Sequence, residues 1–233
     1  AGLSSGIING DVKDYGEIKK KPSVLAKVGY DSQINNDLRI RLSASLYSNP
    51  GTTRNTLYAG DRTGSRYYLV AEPEYYRNYR AGGAIAATNA TDRFTSGRLS
   101  PEFTHKVTSI MVNPFVKFKG LEFFGTYEMS QGMQSGETEN RKFSQLAGEV
   151  IYRFMPREQV FVGGRYNMVS GTLPGATEDI SVDRMQFSLG WYTTKNLLVK
   201  LEYVNQNYNE FAETDYRHKL NFNGIMVEAA ISF

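Results

Sequence analysis

The last ten residues of the chain, Gly224 to Phe233, alternate strictly between two kinds of side chain. A period of two predicts a β-strand with one apolar face. A tilted strand of about ten residues is also long enough to cross a bilayer. The pattern therefore predicts a membrane-crossing strand that ends on an aromatic residue, with an apolar face formed by Ile225, Val227, Ala229, Ile231 and Phe233.

The same alternation recurs upstream and is organised in hairpins. Short turn sequences join the two strands of each hairpin, whereas longer polar stretches join one hairpin to the next: the turns are Ile34–Asp37, Lys119–Gly120, Met155–Glu158 and Thr193–Asn196, and the polar stretches are Gln131–Arg141, Gly171–Ile180 and Asn205–Lys219. Short turns at one end and longer loops at the other are typical of outer-membrane barrels. With a weakly patterned first strand in Ala1–Gly10, the sequence predicts one all-β domain over residues 1–233. That domain would be a transmembrane antiparallel up-and-down β-barrel with about ten strands in this chain.

The aromatic residues of the apolar face fall into two groups along the strands. One group lies next to the short turns and the other next to the long loops: Phe118, Phe123, Phe154, Trp191 and Phe233 against Tyr127, Tyr166 and Tyr203. Aromatic rings concentrate at the two interfaces of a membrane. A soluble β-sandwich also alternates, but it has no reason to sort its aromatic residues into two belts. The belts therefore favour a lipid-facing wall.

Residues 49–102 break the alternation and are rich in Gly, Arg, Thr and Tyr. We expect a long extracellular or inward-folded loop here, with two hidden strands as the alternative; Arg66–Ala71 would be a short strand or loop hairpin. Arginine forks bind carboxylate or phosphate, and tyrosines stack on rings. A loop folded into a pore would form an eyelet through Arg62, Arg66, Tyr67 and Tyr68. Acidic residues interrupt the stretch, which also fits an ordinary solvated loop.

Composition narrows the functional classes. The chain has no cysteine, which excludes disulfides and thiol chemistry. Its net charge of +3 is spread out without a basic block, so we expect no nucleic-acid partner. There is no initiator methionine and no signal peptide. Either processing removed an N-terminal segment or the chain starts part-way into a longer polypeptide.

Enzymatic chemistry has little support, and we expect no enzyme, no cofactor and no metal site. Gly2–Gly6 has the spacing of a nucleophile elbow, but that motif needs a helix after it and no helical pattern follows. Only His105 and His218 could serve as a base near neutral pH. A site at the outer rim, formed by His218 with Glu213 or Asp215, stays open as an alternative. No cluster of residues has metal-ligand spacing.

Several segments resemble the phosphate-selective porin O/P-like barrels, especially the poorly described porins of Bacteroidota. They are GDRTGSRYYLV (60–70), VNPFVKFKGLEFFGT (112–126), EVIYRF (149–154), GGRYN (163–167), VDRMQFSLGWYTTKNLLVKLEYVNQNYN (182–209) and GIMVEAAISF (224–233). The resemblance implies a Gram-negative outer-membrane porin with a periplasmic C-terminus, which allows passive diffusion of small polar or anionic solutes. Members of that family usually have about 16 strands, so this chain would be the C-terminal portion of a larger barrel.

The resemblance also implies the partners of the protein. They are outer-membrane lipid and lipopolysaccharide, the barrel-assembly machinery through the strand ending in Phe233, and further copies or a larger envelope complex. The runner-up function is a non-conducting structural or accessory barrel subunit of such a complex.

If the apolar face contacts lipid, the alternate face lines the lumen. We expect its cations to be pore-lining candidates: Lys27, Arg39, Arg41, Lys117, Arg153, Arg165, Arg184 and Lys200. Its expected carboxylates are Asp31, Glu122, Glu128, Glu149, Asp183, Glu202 and Glu228. Rings of basic residues select anions. The nearly balanced charge also fits cross-strand pairs that stiffen the wall.

Overall fold

A computed structural model of the chain describes residues 1–4, 21–52, 55, 57–58 and 99–232. Ten β-strands lie in these ranges, and none of the described residues is helical. In chain order the strands are β1 (Gly2–Ser4), β2 (Ser23–Gln33), β3 (Leu38–Asn49), β4 (Lys106–Phe118), β5 (Leu121–Met133), β6 (Arg141–Phe154), β7 (Val160–Thr172), β8 (Asp179–Thr194), β9 (Leu197–Asn209) and β10 (Asn221–Ile231).

The strands form one up-and-down sheet in which every neighbouring pair is antiparallel and spatial order follows chain order. The predicted all-β, up-and-down fold is confirmed. Each described strand contacts only its neighbours in the sheet, so no second layer of strands packs on either face within the described ranges. There, β1 pairs only with β2 and β10 only with β9, and the sheet is open. No helix among the described residues is long and apolar enough to cross a membrane.

The predicted short turns close the hairpins at one end of the sheet, which we call the short-turn end. Asn35 begins the first turn because its carboxamide oxygen accepts hydrogen bonds from the backbone N–H groups of Asp37 and Leu38, at 2.9 and 3.0 Å. Lys119, Met155 and Glu158 adopt positive φ in the next two turns. The opposite end is the long-loop end.

Several strands extend beyond the predicted limits toward the long-loop end. The polar stretches expected to be loops from Gln131, Gly171 and Asn205 begin as strand, because β5, β7 and β9 continue to Met133, Thr172 and Asn209. The backbone ladder needs only N–H and C=O groups, so it continues after the apolar side chains end. The prediction confused the end of apolar alternation with the end of the strand.

The close approach of Phe161 to Gly190 gives a test of packing between β7 and β8. These two residues lie directly opposite each other, and Phe161 is buried. A Cβ atom at Gly190 would overlap the Phe161 ring, whereas a Cβ at Gly164 would meet nothing closer than 3.8 Å. We expect Gly190→Ala to lower the free energy of unfolding by about 1–3 kcal/mol. Chemical unfolding of the refolded chain in detergent micelles measures this.

Gly164→Ala on the neighbouring strand is the matched control and should leave the unfolding free energy nearly unchanged. Equal effects of the two substitutions would show that the Phe161 ring does not cover Gly190.

Candidate functional site

The sheet has two faces of opposite character. One face, the apolar face, carries the predicted apolar set, and its large side chains stay exposed; Phe187, Leu189 and Trp191 are 54%, 48% and 56% exposed. The exposed residues of this face are Val24, Val28, Tyr30, Leu42, Ile110, Val116, Phe118, Leu121, Phe123, Tyr127, Met129, Leu146, Val150, Tyr152, Phe154, Val162, Tyr166, Met185, Phe187, Leu189, Trp191, Val199, Leu201, Tyr203, Ile225, Val227 and Ile231. A soluble monomer rarely exposes so large a contiguous apolar surface.

The apolar face ends at a boundary near the long-loop end of each strand. On β3, β4 and β5 the first polar residues are Ser48, Thr108 and Gln131, which lie opposite one another in a single row of the ladder. On β10 the first polar residue is Asn223. A second row of directly opposed residues crosses the sheet from β5 to β10, and positions of the boundary on different strands can be measured from it. It consists of Tyr127, Leu146, Met168, Asp183, Asn207 and Asn221.

This boundary is oblique to the rows. Gln131 lies four residues past Tyr127 toward the long loops, and Asn223 lies two residues past Asn221 toward the short turns. The boundary therefore shifts by about 20 Å along the strands over about 34 Å across β3 to β10. For the boundary to lie parallel to a membrane plane, the strands must be tilted by about 30° from the membrane normal. This is close to the tilt of roughly 35–45° in membrane barrels. On β6 the apolar stretch Leu146–Phe154 would be about 22 Å tall, which matches an apolar band of about 25 Å.

Asp183 lies on the apolar-face side, just beyond the boundary, and not among the lumen carboxylates as predicted. Asp183 is two residues from Met185 along β8, and residues two apart in a strand lie on the same face. The assignment of Asp183 to the lumen was therefore wrong, and alternation alone would have corrected it. Its two carboxylate oxygens accept hydrogen bonds from Asn209 and Asn207, at 2.8 and 2.9 Å. Asn223 and Asn221 extend this polar surface onto β10.

The other face, the polar face, holds every cation of the predicted pore-lining set. By register and alternation, Lys27, Arg39, Arg41, Lys117, Arg153, Arg165, Arg184 and Lys200 all lie opposite the apolar face. Their position is therefore as expected, while their role in a pore stays a prediction.

Glu122 is the centre of a network near the short-turn end of the polar face. Its Oε1 lies 3.2 Å from Lys117 Nζ and accepts a hydrogen bond from Arg153 Nε at 3.2 Å. Arg153 Nη2 donates to the other oxygen at 3.3 Å. Glu158, in the β6–β7 turn, adds a second carboxylate 3.3 Å from Lys117 Nζ. Two cations and two carboxylates thus tie β4, β5 and β6 together.

Further cations of the polar face are also paired. Lys200 Nζ lies 2.7 Å from Glu202 Oε2, and Arg39 Nη2 donates to Asp31 Oδ2 at 2.7 Å. The looser pairs are Arg184–Glu202 at 4.0 Å, Arg165–Glu149 at 3.9 Å and Lys200–Glu228 at 3.9 Å. Paired charges keep the face polar but neutralise most of the positive potential that would attract anions.

Arg41 and Lys27 have different surroundings. The Arg41 guanidinium lies 5.1 Å from the centroid of the Phe115 ring, and its strand neighbour Asp31 is already bound by Arg39. Lys27 is exposed at the edge of a cavity that also contains Tyr58 and Glu128. Within the described ranges, no carboxylate lies within 4.0 Å of either cation. Within the predicted pore-lining set, these two are the cations without a carboxylate within 4.0 Å among the described residues.

An apolar cluster covers part of the polar face at the long-loop end. The described end of the β3–β4 connection contributes Phe103, which is fully buried. The Phe103 ring lies 6.0 Å from the Phe143 ring, and Arg141 Nη1 donates to the Pro101 carbonyl oxygen at 2.7 Å. The buried members are Phe103, Val107, Phe143, Ile180, Tyr208 and Phe211. Alternation along the strands could not predict this cluster, because its residues come from connections as well as from strands.

The groups considered for catalysis are engaged in structural contacts. His218 Nδ1 donates to the Phe211 carbonyl oxygen at 2.6 Å, and His105 Nδ1 donates to the Thr52 carbonyl oxygen at 2.8 Å. The Asp215 carboxylate is bound by the Arg217 guanidinium at 2.7 and 2.9 Å. Among the described residues there is no group of three or more His, Asp or Glu side chains suited to a metal ion.

Some predicted site residues lie outside the described residues. They are the eyelet residues Arg62, Arg66, Tyr67 and Tyr68, the short segment Arg66–Ala71, and the terminal Phe233.

The chain matches no known family model, and no curated protein is similar to it in sequence. Among solved structures it is similar to in-vitro folded OmpT, an outer membrane protein of Vibrio cholerae. The identity is 11%, the coverage is 90% of this chain and 56% of that chain, and the TM-score is 0.48. It is also similar to outer-membrane expressed OmpT of Vibrio cholerae. There the identity is 10%, the coverage is 90% of this chain and 56% of that chain, and the TM-score is 0.49.

A loop L8 deletion mutant of the same protein gives 10% identity, 90% and 54% coverage and a TM-score of 0.48. The chain thus spans little more than half the length of these structures. Likeness at this level carries no argument about function, and the fold described above rests on the strand register of this chain.

The Glu122 network predicts a measurable contribution to stability. In Glu122→Gln, Lys117 and Arg153 lose the less exposed of the two carboxylates that they share and keep only Glu158 in the turn. We therefore expect the free energy of unfolding to fall by about 1–3 kcal/mol. Glu149→Gln is the matched control, because the one cation within 4.0 Å of Glu149 in the described ranges is Arg165 at 3.9 Å, and both side chains are more exposed. Its cost should stay below about 1 kcal/mol. Chemical unfolding in detergent micelles measures both free energies. A loss for Glu122→Gln no larger than the loss for Glu149→Gln would contradict a stabilising role of the network.

The Asp215–Arg217 pair lies in the loop between β9 and β10, and it predicts that the stability of the folded chain depends on pH. Burial raises the pKa of the Asp215 carboxyl, but the hydrogen bonds and charge of Arg217 outweigh burial, and the net pKa lies below its usual range. The stabilisation is therefore complete above the unfolded pKa of about 3.9 and is lost as the pH falls through the lower folded pKa.

We expect Asp215→Asn to unfold at a lower temperature than wild type at pH 7, and the difference to close below about pH 4. Thermal melts across this range measure the difference. A gap that persists undiminished at the lowest pH would show that the carboxylate charge is not what holds the loop.

Proposed function

We propose that this chain forms part of a transmembrane β-barrel in the bacterial outer membrane and that its polar face lines an aqueous pathway for small polar or anionic solutes. The observation that carries the proposal is the apolar face, which stays exposed on β2 to β10 while charged residues lie opposite. Lipid outside and water inside satisfy both faces at once.

The open edges of the described sheet support closure into a barrel. In hydrocarbon, each unpaired backbone N–H or C=O group costs several kcal/mol. The outer edge of β10 would present such groups along its whole length, because β10 pairs only with β9 in the described residues. The proposal therefore includes a further strand on that edge, either from the same polypeptide or from a larger barrel of about 16 strands.

The expected selectivity follows from the charge pairing. Lys117 and Lys200, the predicted pore-lining lysines of β4 and β9, are both paired with carboxylates. We therefore propose a general pathway with a weak preference for anions rather than a phosphate-specific one. Arg41 and Lys27 are the cations that would supply this preference.

A second candidate function, that of a non-conducting accessory subunit, is supported by a different feature of the sheet. The apolar cluster around Phe103 covers the polar face at the long-loop end. Such a cover favours a non-conducting barrel that serves as a structural or accessory subunit of an outer-membrane complex.

Conductance separates the two functions. The purified full-length protein, with every strand that closes the barrel, should conduct after insertion into planar lipid bilayers in KCl. A salt gradient should give a small zero-current potential of the sign for anion preference. Arg41→Glu should shift that potential toward cations, because it reverses a charge of the polar face. Lys195→Glu is the matched control in a short turn and should leave the potential unchanged. An absence of conductance at any voltage would overturn the porin function and favour the accessory role.

A further inference from the structure

A cavity of about 500 Å³ lies on the polar face beside the described start of the β3–β4 connection. Lys27 of β2 and Glu128 of β5 line it from two sides. Tyr47 and Tyr58 provide aromatic surface, and Leu25 and Met111 provide apolar surface. Among the described side chains that line the cavity, Lys27 and Glu128 carry the charges, and the wall is otherwise mainly apolar.

The register explains why these two charges face the same space. Lys27 lies opposite Ser45, Ser45 opposite Met111, and Met111 opposite Glu128, so the four residues form one row across β2, β3, β4 and β5. The two ends of the row are three strand spacings, or about 14 Å, apart. Serine and methionine occupy the middle of the row, and the two charges therefore do not pair directly through neighbouring strands.

Glu128 is held in place without a cation. The Tyr58 hydroxyl donates a hydrogen bond to Glu128 Oε1, and the Ser109 hydroxyl donates to the same oxygen at 2.8 Å. Other carboxylates in strands of the polar face, such as Glu122, Glu149 and Glu202, lie within 4.0 Å of a lysine or arginine. In the described part of the chain, Glu128 has hydroxyl partners only, and its charge is not neutralised there.

We propose that this cavity binds a small zwitterionic solute of dipeptide size, with its carboxylate on Lys27 and its ammonium group on Glu128. The inference rests on the proposed function, since it names a solute class for the aqueous pathway. Charge-assisted hydrogen bonds at both ends supply specificity. The walls formed by Leu25 and Met111 receive an apolar side chain of the solute.

The length of the row fits this solute class. An extended dipeptide spans about 7 Å. The backbones of Lys27 and Glu128 lie about 14 Å apart along the row, so their side chains bridge the remaining distance to the two charged ends of the solute. A solute with only one charge leaves either Lys27 or Glu128 without a partner.

Binding of glycyl-leucine to the full chain in detergent micelles tests the proposal by isothermal titration calorimetry. Two analogues each lack one charge: N-acetyl-glycyl-leucine has no ammonium group, and glycyl-leucine amide has no carboxylate. We expect glycyl-leucine to bind about tenfold or more tightly than either analogue.

Two variants should change this order in opposite ways. Lys27→Met should weaken glycyl-leucine about tenfold, to the level of the amide, and leave the amide unaffected. Glu128→Gln should weaken glycyl-leucine to the level of the N-acetyl analogue and leave that analogue unaffected. Glu149→Gln, outside the cavity, is the control and should bind all three ligands like wild type. Because Lys27 is exposed, its variant folds whatever the role of Glu128 in stability, and circular dichroism confirms the fold of each variant.

Equal affinity for the dipeptide and both analogues, or no binding of any of them, would overturn the zwitterion site. That failure is distinct from failure of the proposed function. A chain that conducts but does not discriminate these ligands remains a pore without this site, whereas a chain that binds glycyl-leucine in this order but does not conduct retains the site and loses the pathway.

Discussion

The hydrogen-bonded ladder from β2 to β10 is the constraint on which the rest of the structure depends. Every pair of neighbouring strands is antiparallel. The register is continuous apart from a shift between Tyr192 and Thr194, and the pairing of β4 with β5 is interrupted at Asn113 and Pro114. The ladder satisfies the backbone within the sheet, so the side chains alone decide what each face can contact. An unbroken alternation then produces one wall with an apolar side and a polar side.

The apolar face and the polar face of the sheet are stabilised in different ways. The apolar face has no packing partner among the described strands, and its boundary runs obliquely, as tilted strands in a flat membrane require. The polar face must accommodate many charges on one side of a single sheet. It does so through cross-strand ion pairs such as Glu122 with Arg153, and through the cluster around Phe103 near the long loops. Glu128 and Lys27 remain unneutralised among the described residues, which is why the proposed solute site lies there.

The sequence predicted the parts that follow from local periodicity. Strand identity, the short turns such as Lys119–Gly120 and the composition of the apolar face required only alternation and turn chemistry. Asp183 could have been placed correctly by counting from Met185, and its assignment to the lumen was an error of parity.

Other features depend on long-range register and were beyond sequence reasoning. The pairing of β3 with β4 spans the long connection, so the opposition of Ser45 and Met111 has no local signal. The contacts of Tyr58 with Glu128 and of Phe103 with Phe143 come from segments without periodicity. The charge balance was visible in the sequence, but the partner of each cation depends on this register.

Accessibility of single spin labels along β9 tests the membrane placement most directly. With the full chain in lipid vesicles and labels placed one at a time from Leu197 to Asn209, dissolved oxygen should relax labels at Val199, Leu201 and Tyr203, and a water-soluble nickel complex should relax labels at Lys200 and Glu202. From Asn205 onward the outward positions should become accessible to nickel, because the boundary lies there. Strong relaxation by nickel at Val199 and Leu201, or no alternation, would contradict a wall between lipid and water.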